Sequence, residues 1–147
     1  MPQFRLISKD ILHLFSRAGT RKEYLEKTVE LLAERLGVPC VGIRLVGKNG
    51  QIAYEAYRGF SDAFWREENE LSLQGDHCLC SKVIRGTLDP QDQPFATPFA
   101  SVFCNDLRQY EESLNEEQKK TSYRGACSKH GYRSLAVIPI RRKDDIF

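Results

Sequence analysis

Two short segments, Asp76-His-Cys-Leu-Cys80 and Ala126-Cys-Ser-Lys-His130, hold the residue types best suited to chemistry in this chain. Thiolate and imidazole are the ligands that zinc and iron favour, and tetrahedral sites commonly draw them in close pairs from two separate segments. Cys78, Cys80 and Cys127, with Cys104 or His130 as a fourth donor and His77 beside the pair, satisfy that count. The spacing departs from a zinc ribbon, because C-x-C stands where C-x2-C is usual. Cysteine is also a small, readily buried apolar side chain. Metal binding, redox chemistry and plain packing are therefore all open readings of these thiols.

Composition narrows the context. The 147 residues are 41% hydrophobic and 29% charged, which fits one globular domain with a single sizeable core rather than two. The formal net charge is +2 and no run of Lys or Arg exceeds three residues, so the basic stripe of a nucleic-acid binder is absent. No apolar run approaches the roughly 20 residues that cross a bilayer, and the start of the chain lacks an apolar signal region. The expectation is a cytoplasmic protein that is not inserted in a membrane. Five cysteines, Cys40, Cys78, Cys80, Cys104 and Cys127, are an odd number, which argues for free thiols rather than a disulfide framework.

Periodicity supplies the elements that must position these groups. Ser8 reads as the cap of a short first helix with Ile11, Leu12 and Phe15 on one face. Thr20-Arg-Lys-Glu23 reads as a capping box opening a second helix, about Arg21 to Leu36, stopped by Gly37. Val41, Ile43 and Leu45 alternate along a strand that turns at Gly47-Lys-Asn-Gly50 and returns over 51–58 as a hairpin. Short helices are expected from Asp62 to about Glu67 and from Cys80 to Arg85, followed by a proline-punctuated loop from Thr87 to Ala100. A strand over 101–104, a polar helix from Asn115 to about Ala126 and a strand over 134–141 complete the order. A hairpin and late strands interspersed with helices give an α+β layer architecture with an antiparallel sheet.

Four of these segments resemble recurring parts of GAF domains, in the right order and nearly the right spacing. They are Leu31 to Leu45, Cys80-Ser-Lys-Val-Ile-Arg-Gly86, Phe103-Cys-Asn-Asp106 and Gly131-Tyr-Arg-Ser-Leu-Ala-Val-Ile-Pro-Ile140. Together they make 1–147 a single GAF-like (PAS-like) sensory domain. The resemblance implies a six-stranded antiparallel sheet with helices on its faces and a ligand cavity on one side. GAF domains usually end with a further strand and a long helix after a turn like that of Arg142 to Asp145. Ile146-Phe147 reads as the beginning of that strand, so the expectation is a fragment of a longer protein. The chain is similar in particular to GAF domains of bacterial sensor kinases that carry a C-x-C pair, a Phe95-Ala-Thr-Pro98 type of loop and a later cysteine, here Cys127.

The function implied is a regulatory domain of a signal-transduction protein such as a histidine kinase, with a kinase or regulator output in the same parent chain. It would sense a small molecule, a metal, a haem or a redox state, and would not itself be an enzyme. Zinc, iron or haem are the cofactors implied, with His77 and His130 as haem ligands. Trp65, Phe103, Asp106 and Arg133 are the candidate contacts to a small-molecule ligand. Trp65 reads equally as core beside Phe60 and Phe64, and Asp106 as the cap of a turn. The apolar residues of the first helix suggest a homodimer. Free methionine-(R)-sulfoxide reductases are similar single GAF domains, and that alternative would make Cys127 the nucleophile and Cys78 or Cys80 the resolving thiol.

Overall fold

The computed structural model describes residues 2–142 and 145–146. Two long helices open the chain, α1 (Pro2–Arg17) and α2 (Arg21–Leu36). Helix α1 starts earlier than expected: Ser8 lies inside it, and Pro2 occupies the first turn, where a missing N–H breaks no helical bond. Helix α2 has the predicted ends. Thr20 Oγ1 accepts the Glu23 N–H at 3.1 Å, and Gly37 closes the helix in the left-handed region at φ 64°. Thr28, Val29 and Ala33 are its buried face.

That face covers the hairpin β1 (Val41–Arg44) and β2 (Tyr54–Arg58). The hairpin register slips between Ile43 and Arg44, so that Ile43 pairs with Ala56 and Arg44 with Tyr54. This irregularity sets the Arg44 guanidinium over the Tyr54 ring, 3.7 Å from its centroid. Gly59 ends β2 at φ 81°, where an added Cβ would lie 2.0 Å from the Pro39 carbonyl oxygen, so no other residue fits this approach.

After the hairpin come α3 (Asp62–Glu68) and α4 (Leu79–Arg85), both close to their expected positions. The stretch from Thr87 to Ala100 is less open than the sequence suggested, because Pro90–Phe95 forms a 3-10 helix inside it. Then follow β3 (Val102–Cys104), α5 (Leu107–Ser113), α6 (Glu116–Thr121), α7 (Ala126–Lys129), β4 (Leu135–Val137), β5 (Arg141–Arg142) and β6 (Asp145–Ile146). Helix α5 is absent from the sequence reading, although Leu107, Tyr110 and Leu114 recur at helical spacing and all three are buried. The polar helix from Asn115 stops at Thr121 rather than continuing to Ala126, and Gly125, at φ 70°, resets the chain before α7.

The described strands pair two by two, β1 with β2, β3 with β4 and β5 with β6, all antiparallel, instead of forming one six-stranded sheet. The expected last long strand is interrupted by Pro139, whose nitrogen has no hydrogen to give a ladder. Ile146 does pair with Arg141, in keeping with a strand beginning there; Phe147 lies outside the described residues. Leu79, Val83, Val102, Cys104, Leu107, Tyr110 and Leu114 make the core between α4, α5 and the β3–β4 pair. This is the α+β architecture expected from the element order, and the core is the wall against which the cysteines sit.

Candidate functional site

Helix α4 begins at a cysteine. Cys78 is its N-cap, in extended conformation at φ −138° and ψ 169°, and its sulfur receives the Ser81 N–H while Ser81 Oγ accepts the Cys78 N–H at 3.1 Å. Sulfur thus replaces the oxygen of an ordinary capping box. Ser81 is buried and its hydroxyl donates to the Asp76 carbonyl at 2.8 Å, so the cap is braced from behind. Cys80 follows two residues on, and its neighbouring thiol, with the Ser81 N–H, brings the Cys78 thiol down to about 6 against the opposing effect of burial. The neighbouring Cys78 sulfur, with loss of hydration, pushes the Cys80 thiol well up. The two thiols are thus shifted in opposite directions, Cys78 toward the thiolate and Cys80 toward the protonated form.

Cys127, on α7, joins Cys78 and Cys80 in the lining of one small cavity of about 30 Å³, together with Glu68, Tyr123 and Arg124. Burial, then the Glu68 carboxylate, raise the Cys127 thiol to about 12. Three thiols therefore share a wall, and of these Cys78 is the one whose surroundings favour the thiolate. None of the five cysteines is joined in a disulfide.

A buried charge network closes this cavity from one side. Glu68, 3% exposed, accepts from Arg124 Nε at 3.2 Å, while Arg124 Nη1 reaches Asp76 at 2.7 Å. Arg44 lies 3.7 Å from the other Glu68 oxygen, too far for a hydrogen bond, and donates instead to the Ile52 carbonyl at 2.6 Å. Its Nε and Nη2 are buried without a partner. Strand β1, helix α3 and the segment before α7 are thus tied through one carboxylate.

A second network anchors the segment after α4. Lys82, 3% exposed, donates to Asp92 and Asp89, each at 2.9 Å. Tyr110 OH donates to the other oxygen of fully buried Asp92 at 2.6 Å. The 3-10 helix is therefore clamped to α4, four residues beyond Cys78, and to α5. A larger open cavity of about 240 Å³ lies beside this clamp, between the end of α4 and the 93–100 stretch.

The remaining site candidates fall elsewhere. Cys104 is fully buried in the core. His77 is exposed, and His130 Nε2 lies 2.7 Å from Glu67 with its ring edge on Phe64. Among the described residues no three His, Cys, Asp or Glu side chains converge as a metal-holding group. Phe103 is exposed on the outward face of β3, and Arg133 is exposed, its carbonyl accepting the Leu107 N–H at 2.8 Å. Asp106 is the N-cap of α5, bonded to the Arg108 N–H at 3.0 Å. Trp65 packs against Tyr57 with its indole N–H buried and unpaired. The four candidate ligand contacts are not gathered around the thiol cavity. Glu68, Arg124, Lys82 and Asp92 were not singled out from sequence; their charged partners lie 7 to 56 residues away, and no local pattern announces such pairs.

No family model and no curated protein matches the sequence. Solved structures that resemble its fold include the following two. The GAF domain of an Acinetobacter phosphoenolpyruvate-protein phosphotransferase superposes with a TM-score of 0.62 at 16% identity, covering 99% of this chain and 71% of that one. A domain described as part of a two-component sensor histidine kinase protein from Sinorhizobium meliloti 1021 superposes with a TM-score of 0.56 at 15% identity, covering 88% and 69%. The chain has a GAF-like fold. No helix among the described residues is long and apolar enough to cross a membrane.

Proposed function

We propose that this chain is the regulatory, non-catalytic GAF module of a signal-transduction protein such as a sensor histidine kinase, and that its signal is the state of the Cys78, Cys80 and Cys127 thiols. The likeness to GAF structures supports the module, and one observation carries the sensing site: Cys78, the N-cap of α4, lines one small cavity with Cys80 and Cys127. Any change of bonding at the Cys78 sulfur removes the acceptor of the Ser81 N–H and so disturbs the first turn of α4. The next turn holds Lys82 and, through Asp92, the 3-10 helix. The thiol pair is in this way connected to a surface segment by a buried ion pair, giving the two-state element a sensor needs.

The reductase alternative is weaker on the same geometry, because it asks Cys127 to attack and that thiol is held protonated. Zinc and iron form no part of the proposal, since no three His, Cys, Asp or Glu side chains converge among the described residues. The test is hydrogen exchange on chain equilibrated with reduced or oxidised dithiothreitol. The expected result is a reversible change of about tenfold or more in exchange over Leu79–Arg85 and Pro90–Phe95, absent from Cys78→Ser/Cys80→Ser. Identical exchange in the two redox states would remove the sensing site from the proposal.

A homodimer belongs to the same reading. Leu12 and Phe15 of α1, three residues apart on one side of the helix, are each exposed at 69% and form a short apolar strip, with Phe15 edge-on to Tyr24 of α2. Sedimentation across the micromolar range is expected to show reversible dimerisation that Leu12→Glu/Phe15→Glu abolishes; a strict monomer throughout would rule the strip out as a dimer face.

A further inference from the structure

The C-terminal end of α4 opens onto the larger cavity of about 240 Å³, which is lined neither by the thiols nor by Trp65, Phe103, Asp106 or Arg133. We propose that this cavity is a binding site for a compact, uncharged polar molecule of up to about ten non-hydrogen atoms that carries an amide-like pair of hydrogen-bond donor and acceptor. Bound there, such a molecule bridges the end of α4 and the 3-10 helix, the two elements that the Lys82–Asp92 pair joins. The site is independent of the thiol chemistry.

Size sets the first limit. Benzene is held by an engineered protein cavity of about 150 Å³, or about 25 Å³ for each carbon. A cavity of about 240 Å³ therefore takes roughly ten such atoms. A haem or a dinucleotide exceeds it.

The lining sets the charge. Val83, Leu88, Ala96, Pro98 and Ala100 supply apolar wall, Gly86 adds no side chain, and no lining residue is ionisable. A charged ligand would lose hydration against these walls with no counter-ion in return, whereas an uncharged one loses far less. The charges nearest in the chain are occupied elsewhere. Lys82 is paired with Asp89 and Asp92, and Arg85 donates to the carbonyls of Leu73 and Asp76.

Gln93 and Thr97 set the hydrogen-bonding pattern. Gln93 is exposed and its carboxamide bonds to no other described residue, so both its oxygen and its nitrogen are open to a ligand. The Thr97 hydroxyl oxygen accepts the Phe99 and Ser101 N–H groups, each at 3.3 Å, and keeps its own hydrogen to donate. The wall that carries Thr97 is braced by its own bonds. Thr97 N–H donates to the Ser101 carbonyl at 2.8 Å and Ala100 N–H to the Thr97 carbonyl at 3.0 Å, holding Ala100 at φ 55°, the one positive φ outside glycine among the described residues. Ala96 pairs with Val102 of β3, and the opposite wall is the capped end of α4. A site whose walls are already fixed spares a ligand the cost of ordering them.

The experiment is a proton–nitrogen NMR titration of the full chain with benzamide, and with benzoate and benzylammonium as charged probes of similar size. Benzamide is expected to bind with a dissociation constant of about 1 mM or tighter, moving the amide signals of residues 86–88 and 93–100 and leaving those of Cys78, Cys80 and Cys127 in place. The two charged probes are expected to bind at least about tenfold more weakly. Gln93→Ala, at an exposed position, is expected to weaken benzamide binding by about two- to tenfold, and Ala96→Leu, which narrows the cavity, by about tenfold or more. Gln93→Ala decides alone if Ala96→Leu does not fold. Absence of these shifts in saturated benzamide, shifts around the thiols instead, or equal binding of a charged probe overturns the proposal. Benzamide binding that the substitutions leave unchanged overturns it as well. All of these results leave the thiol-sensing reading standing, because that reading is tested by the redox dependence of hydrogen exchange.

Discussion

Lys82→Met is expected to lower the unfolding free energy by about 3–5 kcal/mol and the melting temperature on the order of 10 °C. The reason is what methionine leaves behind. Asp92 is fully buried, and without Lys82 its carboxylate keeps only the Tyr110 hydroxyl and the Asp89 N–H as partners. A buried charge that loses its counter-ion is among the most destabilising single changes, whereas removing both charges together is often nearly neutral. Asp92→Asn should therefore cost less than Lys82→Met, because Lys82 retains Asp89, which is half exposed and solvated. The double variant should recover part of the loss. Urea denaturation of the four proteins measures the cycle. A Lys82→Met variant within about 1 kcal/mol of the parent would show that the clamp is not a buried pair in solution.

Glu68→Gln is expected to have a comparable effect on stability, about 3 kcal/mol, and a second effect on chemistry. Glu68 is the only carboxylate within 4 Å of Arg44 among the described residues, and it is also held by Arg124. Neutralising it strands a guanidinium whose Nε and Nη2 already lack hydrogen-bond partners. The chemical effect has a definite sign. The Glu68 charge opposes thiolate at both Cys78 and Cys127, so its removal favours both ionised forms and moves both titrations down. Alkylation rate against pH reads this directly: in the parent the fast thiol titrates at about 6, and in Glu68→Gln its midpoint shifts lower. A shift upward would mean that Glu68 acts mainly by holding Arg124 in place. The depressed Cys78 value also contributes to stability. That contribution is fully present above the unfolded thiol range near 9 and falls away as pH drops toward about 6.

Both variants act on residues that sequence reading passed over, and the reason is physical. Helix α2 was legible because each of its signals is local: Thr20 meets Glu23, Gly37 supplies the left-handed cap, and Val29 and Ala33 repeat on one face. The β1–β2 hairpin, α3 and α4 were legible on the same terms. The long final strand was misjudged because an apolar run hid the effect of Pro139 on the ladder. Helix α5 was missed because Asp106, read as a turn residue, is its cap. The loop from Thr87 to Ala100 was read as open because prolines mark it, yet its one buried acid is gripped by a lysine on another element.

The site divides in the same way. The C-x-C pair, its place at the start of a short helix and a third cysteine far along the chain were written in the sequence, and so was the order of elements that gives a GAF-like fold. Which thiol ionises, which stays protonated, how much room lies between them and which acid and bases surround them were not. Those properties arise from hydrogen bonds and desolvation between groups distant in the chain, and only the packing of α3, α4 and α7 against one another decides them. Local sequence determines where the sulfurs sit on their elements; the tertiary structure determines what they can do there.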